Sequence, residues 1–233
     1  MCLALEQAKS VLGNTKENPA VGCIVVKNNN VISAASTGLN GRPHAESNAM
    51  NLPTSKSKNS KIYVTLEPCV HYGKTAPCVN LIIKKKVKHV FFSIKDPDKR
   101  TFNKSSKLFK KKGVFCSIGV LSNEISSFYR SYVISKKKVL PFVTCKLAIS
   151  KDFFTVNKKR KWITNEFSRG RVHLLRMEHD CIITSSRTII DDNPRLNCRI
   201  KGLSQNSPPI IILDKNLRIN VKSRIFVDNR NVQ

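Results

Sequence analysis

The stretch Thr65-Leu66-Glu67-Pro68-Cys69-Val70-His71-Tyr72-Gly73-Lys74-Thr75-Ala76-Pro77-Cys78-Val79-Asn80 decides the reading of this chain. The apolar run "KIYVTLEP" reads as a buried strand ending at Pro68. A polar loop follows, and a helix then runs from about Ala76 to Lys86. Cys69 therefore lies just past the carboxyl end of a strand, and Cys78 lies at a helix start. Upstream, "HAESNAMNL" reads as a short helix with His44 and Glu46 in its first turn. One His and two Cys make a three-ligand set for zinc. A zinc ion with three protein ligands keeps its fourth position open, which marks a catalytic rather than a structural site. Glu46 is placed as a proton shuttle that need not be a ligand.

Each residue alone is bland: one His in a loop, or one Cys before a helix, means little. Their conjunction is specific. H-x-E followed by P-C and a second Cys is the pattern of zinc deaminases, with the Glu as general acid and base. A helix N-terminus also lowers the pKa of a thiol placed there.

Working outward, Cys2–Gly13 has helical periodicity, with Gly13 as its stop. "AVGCIVVKNNNVISAAS" reads as a hairpin around an Asn turn. "HVFFSI" and "VFCSIGV" are further strands, separated by the helix "KSSKLFKKKG". Strands alternating with helices predict an α/β fold, a sheet covered on both faces. Ligands of such sheets bind outside the carboxyl ends of the strands, where Cys69 falls.

The 233 residues suffice for one large or two modest domains. There is no apolar run of about 18 residues, hence no membrane span is expected. The N-terminus lacks the basic and long apolar regions of a signal peptide, so the expected location is cytoplasmic. The eight cysteines are scattered singly, which argues against a disulfide framework. Most sit in apolar runs and read as small buried hydrophobes. Cys69 and Cys78 differ, because each follows a Pro in a polar loop. The net charge is +27. The lysines are spread over the whole chain without interleaved aromatics, which argues against a dedicated nucleic-acid surface. A uniformly basic surface still attracts phosphorylated small molecules.

Composition shifts near Ser122. Residues 1–121 are read as the zinc domain, 122–140 as a helical connector and 141–233 as a second α/β unit. In that unit, strands are expected at "PFVTCKLAIS", "CIITSS" and "PIIILD", with a helix at "RGRVHLLRMEH" and a loop at "DDNPRLNCR". With so few strands, a sheet edge is left open, and the chain looks short for two complete domains.

Taken together, the chain resembles the bifunctional deaminase/reductase family of riboflavin biosynthesis over nearly its whole length. The motifs are Asn18-Pro19-Ala20-Val21-Gly22-Cys23, His44-Ala45-Glu46, Thr65 to Cys69, His71 to Cys78, and Asp96-Pro97. Nucleoside and nucleic-acid deaminases have P-C-x-x-C, whereas eight residues separate Cys69 from Cys78 here. The resemblance implies a three-layer α/β/α cytidine-deaminase-like domain followed by a partial, dihydrofolate-reductase-like α/β domain. It implies one zinc per chain on His44, Cys69 and Cys78, and deamination of a phosphoribosyl-aminopyrimidine with Glu46 moving the protons. Asn18, His71, Lys74 and Asp96 would hold the substrate. In the second half, "KLAISKD", "WIT", "VHLLR" and "SSRTIIDDNPRLNCR" carry the likeness. It implies NADP contacts at Ala148, Trp162, Thr188 and Asp192, and substrate contacts at Arg176, Leu196 and Arg199. A homodimer or tetramer is also implied.

The chain departs from the family pattern at several positions. Phe153 replaces the Gly of S-x-D-G, and Arg160 replaces a substrate-binding Ser. Lys215 follows Leu213-Asp214 where a Ser is expected, and the G-P-x-L stretch is absent. Ser36-Thr37 stands where an aromatic-His pair is usual, and "DPDKRTFNKSS" lacks the usual glycines. These departures predict that this chain alone reduces nothing. Two alternatives stay open: a zinc deaminase of tRNA or another nucleic acid, which steep salt dependence of binding would reveal, and a non-catalytic remnant, against which the intact ligands and Glu46 argue.

Overall fold

The computed structural model describes residues 1–138, 140–155, 162–227 and 232. It falls into two units, Met1–Val143 and Thr144–Gln233. Among the described residues no helix is long and apolar enough to cross a membrane.

The first unit is built on a five-stranded sheet of order β2-β1-β3-β4-β5. The hairpin β1 (Gly22–Lys27) and β2 (Asn30–Ser36) turns at Asn28 and Asn29, with φ of 51° and 61°. Both residues are left-handed, as a two-residue turn matched to strand twist requires, and Asn tolerates that geometry. β3 (Lys61–Leu66) runs antiparallel to β1, while β4 (His89–Ile94) and β5 (Phe115–Ile118) continue parallel to it. The register pairs Val25 with Ile62 and Ile62 with Val90, and likewise Cys23 with Val64 and Val64 with Phe92. These six residues line one face, and all are buried. The same core takes in Ala45, Ala49, Val79, Ile82 and Phe109. They come from α2 (Ala45–Ala49), α4 (Cys78–Lys84) and α5 (Ser105–Lys111). The short α3 (Thr54–Ser57) precedes β3.

The opposite face carries Thr65, whose hydroxyl accepts from Gly22 N and shares a 2.6 Å hydrogen bond with the Tyr129 hydroxyl. Helix α1 (Cys2–Lys9) crosses Gly22 so closely that a Cβ there would lie 1.8 Å from the Ala4 carbonyl oxygen. Only glycine fits that crossing. The helix ends before Gly13, which takes a left-handed φ of 83° in the turns that follow.

Residues 122–140, read as a connector, contain α6 (Ser122–Phe128) and α7 (Arg130–Lys138). Ile125 and Tyr129 are buried in the first unit's core. All eight cysteines are free. Cys23, Cys78 and Cys198 are buried, whereas Cys2, Cys145 and Cys181 are exposed and do not act as core residues.

The second unit is smaller. β6 (Ile182–Ser185) and β7 (Ile210–Leu213) form a two-stranded parallel sheet, joined by an isolated bridge from Ile210 to Val232. The flanking helices are α8 (Glu166–Met177) and α9 (Ser186–Asp192). The Ser185 side chain caps α9 by accepting from Thr188 N, and the helix takes in Asp191 and Asp192, the first two residues of the expected loop. Ile189, Ile210 and Ile225 make its core. The strand expected at "PFVTCKLAIS" does not form. Val143 and Leu147 are more than two-thirds exposed, and an apolar run without a ladder partner gains nothing from extension. Phe153 adopts φ 65°, a left-handed conformation that glycine takes freely and a Phe at a cost on the order of 1 kcal/mol. Lys158, Lys159, Arg160 and Lys161 lie outside the described residues.

Candidate active site

The site forms where β3 ends. Pro68 stops the strand, Cys69 follows it, and the loop 70–77 returns to place Cys78 as the first residue of α4. His44, in extended conformation, immediately precedes α2 and faces both. His44 Nδ1 lies 3.5 Å from Cys69 Sγ and 3.4 Å from Cys78 Sγ, and the three ligand atoms all fall within 4.8 Å of one another. Tetrahedral zinc with N and S ligands needs donor separations of about 3.5 Å. The donor set and its spacing therefore fit the metal. The Cys78 backbone N–H donates to Cys69 Sγ at 3.3 Å, an outer contact that orients the ligand.

The three ligand side chains bond to one another and shift each other's protonation. A hydrogen bond from Cys78 pulls the Cys69 thiol down to about 4, against its burial. The same bond pushes Cys78 well above the ordinary thiol value, and burial adds to the rise. His44 is raised, first by its bond with Cys69. A divalent cation replaces these shared protons, which is why such sites bind metal with proton release.

Glu46 is buried in the first turn of α2. Burial pushes its carboxyl up to about 7, and the Cys69 thiolate adds to the rise. A carboxyl held near neutrality can both take and give a proton. His44, Glu46 and Cys69 line a cleft with about 740 Å³ of empty space, open to solvent. Asn18, His71 and Asp96 line it too, so three of the four residues expected to hold substrate converge there. Asn18 Nδ2 donates to the Gly41 carbonyl at 3.2 Å, and His71 Nδ1 is 3.2 Å from the Thr101 hydroxyl. Burial raises Asp96 to about 6, opposed by hydrogen bonds from Asp98 N and the Tyr132 hydroxyl. Lys74 is exposed and is not among the lining residues.

Sequence reasoning passed over several groups. Glu67 is buried, and its carboxylate accepts from Asp96 N, Asn103 N, Ser105 N and the Ser105 hydroxyl, at 2.8–3.2 Å. This one side chain fastens the loop that carries Asp96. Asn103, with φ 58°, supplies the left-handed turn in a loop without glycine. Thr37, noted only as a departure, lines the cleft. Its hydroxyl accepts from Val21 N and donates to the Pro19 carbonyl, holding the Asn18 segment. Arg42 and Tyr132 also line the cleft. Their signal in sequence was weak, since Arg is common here and Tyr132 lies 36 residues from Asp96.

In the second unit, Arg176 Nη1 donates to the Asn197 carbonyl at 2.8 Å, and Arg199 Nη1 donates to Asn197 Oδ1 at 2.8 Å. His173 Nδ1 accepts from Arg199 N at 3.3 Å. Arg176, Leu196 and Arg199 are thus gathered around one loop, with Leu196 at φ 53°. Thr188 and Asp192 share α9. Trp162 is 58% exposed and stacks with the Arg169 guanidinium at 4.8 Å. Ala148 lies outside any regular element.

Comparison with known proteins agrees with both halves. Residues 1–94 match the cytidine and deoxycytidylate deaminase zinc-binding region, and residues 141–232 match the RibD C-terminal domain. The chain is 34% identical over 230 residues to riboflavin biosynthesis protein RibD of Bacillus amyloliquefaciens, covering 98% of this chain and 62% of that protein. It is 36% identical over 213 residues to RibD of Chlamydia trachomatis, covering 90% and 57%. Among solved structures, a diaminohydroxyphosphoribosylaminopyrimidine deaminase/5-amino-6-(5-phosphoribosylamino)uracil reductase from Thermotoga maritima aligns with TM-score 0.90 at 34% identity. That alignment covers 98% of this chain and 66% of the other. Acinetobacter baumannii RibD aligns with TM-score 0.86 at 31% identity, covering 98% and 66%. The chain spans about three fifths of the length of these curated relatives. A deaminase zinc region and a RibD C-terminal domain joined in one such chain place it in the RibD family of bifunctional riboflavin biosynthesis proteins.

Proposed function

We propose that this chain deaminates 2,5-diamino-6-(5-phosphoribosylamino)pyrimidin-4-one hydrolytically to 5-amino-6-(5-phosphoribosylamino)uracil, in the cytoplasm, as a step of riboflavin synthesis. The observation that carries the reading is the convergence of His44, Cys69 and Cys78 into one ligand set, with His44, Cys69 and buried Glu46 lining one open cleft. Zinc held by the three ligands would supply Lewis-acid activation of a water molecule. Glu46 accepts one proton of the attacking water and passes it to the ring nitrogen, then carries the second from the newly added hydroxyl to the departing amine, which leaves as ammonia. Asn18 and Asp96 orient the pyrimidine, and His71, steadied by Thr101, stands at the loop between the cysteines. The test is metal analysis with an ammonia-release assay on the purified protein. One zinc per chain with ammonia release is expected, and protein that takes up no zinc would overturn the reading.

The second activity of the family, NADPH-dependent reduction of the ribose, is not expected of these 233 residues on their own. Two features support this: the two-stranded sheet, which is marginal without further pairing, and the Phe153 and Lys215 replacements. NADPH absorbance should stay constant with the deaminated product. Steady oxidation by this chain alone would contradict the expectation. The same reading carries a homodimer or tetramer.

A further inference from the structure

The acidic groups around the cleft are mostly engaged, while one cation of its lining has no carboxylate partner among the described residues. Glu67 is satisfied by its four donors, Asp98 pairs with Arg100 at 2.6 Å, and Asp96 accepts from Tyr132. Glu17 is exposed. Arg42 is half-buried two residues before His44, and among the described residues no carboxylate pairs with it. Its Nη1 donates to the Thr75 hydroxyl at 2.9 Å. Its Nη2 rests against Gly73, where an added Cβ would lie 3.6 Å away. The guanidinium is therefore fixed by the loop between the two cysteines. A guanidinium has five donors in a planar fork, and Thr75 takes one. Lys136 lines the same cleft, exposed, its ammonium 5.8 Å from the Tyr132 ring centroid.

We propose that Arg42 is the specificity-determining residue of the cleft, its fork binding the phosphate monoester of the substrate, with Lys136 as an outer cation. This rests on the phosphorylated-pyrimidine reading above. Arg42 lines the cleft, whereas Lys74 does not. A phosphate accepts two parallel bonds from such a fork, a geometry an ammonium cannot offer. Lysine at this position would supply charge without the fork.

The experiment compares wild type, Arg42→Gln and Arg42→Lys on the phosphorylated substrate and on its dephosphorylated riboside. For the phosphorylated substrate, Arg42→Gln should raise KM about 10- to 100-fold, the scale of bonds to a charged group. Its kcat and zinc content should stay near wild type, and its kcat/KM on the riboside should match wild type. Arg42→Lys should recover part of the KM. An equal loss on both substrates would overturn the proposal, assigning Arg42 to holding the Thr75 loop. Binding of ribose 5-phosphate, followed by calorimetry, separates this from failure of the deaminase reading. If wild type releases no ammonia from either pyrimidine, the deaminase reading falls. Weaker ribose 5-phosphate binding by Arg42→Gln would then still sustain the anion site, and unchanged binding would sink it.

Discussion

Glu46→Gln should keep one zinc per chain and lower ammonia release by about 10² to 10⁴, the usual scale for a lost acid–base group. The carboxyl is buried in the first turn of α2, and its substitution by an isosteric amide leaves the helix and the three ligands in place. The amide cannot take a proton from water or return one to the ring. Loss of kcat with intact metal content separates proton transfer from metal binding. Wild-type rates from the Gln variant would remove Glu46 from the mechanism altogether. Folding should be little affected, because among the described residues Glu46 carries no structural network comparable to that of Glu67.

Cys78→Ala should abolish both metal and activity. Cys78 contributes one of three ligands, and its own backbone N–H supports a second, Cys69. Two remaining ligands cannot hold zinc against dialysis, because affinity rests on the full donor set. Zinc per chain should fall to background, and ammonia release should fall with it. Since Cys78 is buried at the start of α4, the melting temperature should be measured beside the metal content. Retained zinc at wild-type stoichiometry would mean that another group completes the site. A folded, metal-free variant that still turns over substrate would exclude the zinc mechanism.

The ligand set was legible because metal chemistry restricts residue types sharply. Few patterns other than a metal site call for His44, Cys69 and Cys78 at those spacings. The strands of the first unit were legible for a similar reason, since runs such as "HVFFSI" are too apolar to be anything but buried. The supporting residues left no such mark. Glu67 reads in sequence as one more charged residue before a Pro, yet it holds a loop 29 to 38 residues downstream. Lys74 was named by family likeness alone, and the structure places it exposed on the loop and off the cleft lining, which Arg42 joins. The strand expected at "PFVTCKLAIS" failed for the converse reason. Apolar composition proposes a strand, but only a partner ladder makes one.

The Tyr129 hydroxyl donates to the Ala20 carbonyl at 2.8 Å as well as meeting Thr65, and Tyr132 reaches Asp96. This bears on how the protein can be divided. A cut after residue 121 would follow the sequence-based boundary but would strip a wall from the cleft and strand two buried polar groups. A cut after Val143 keeps both tyrosines with the sheet they complete. Any expression fragment, or any natural fission of such a chain into separate polypeptides, has to leave α6 and the first turn of α7 with the zinc half.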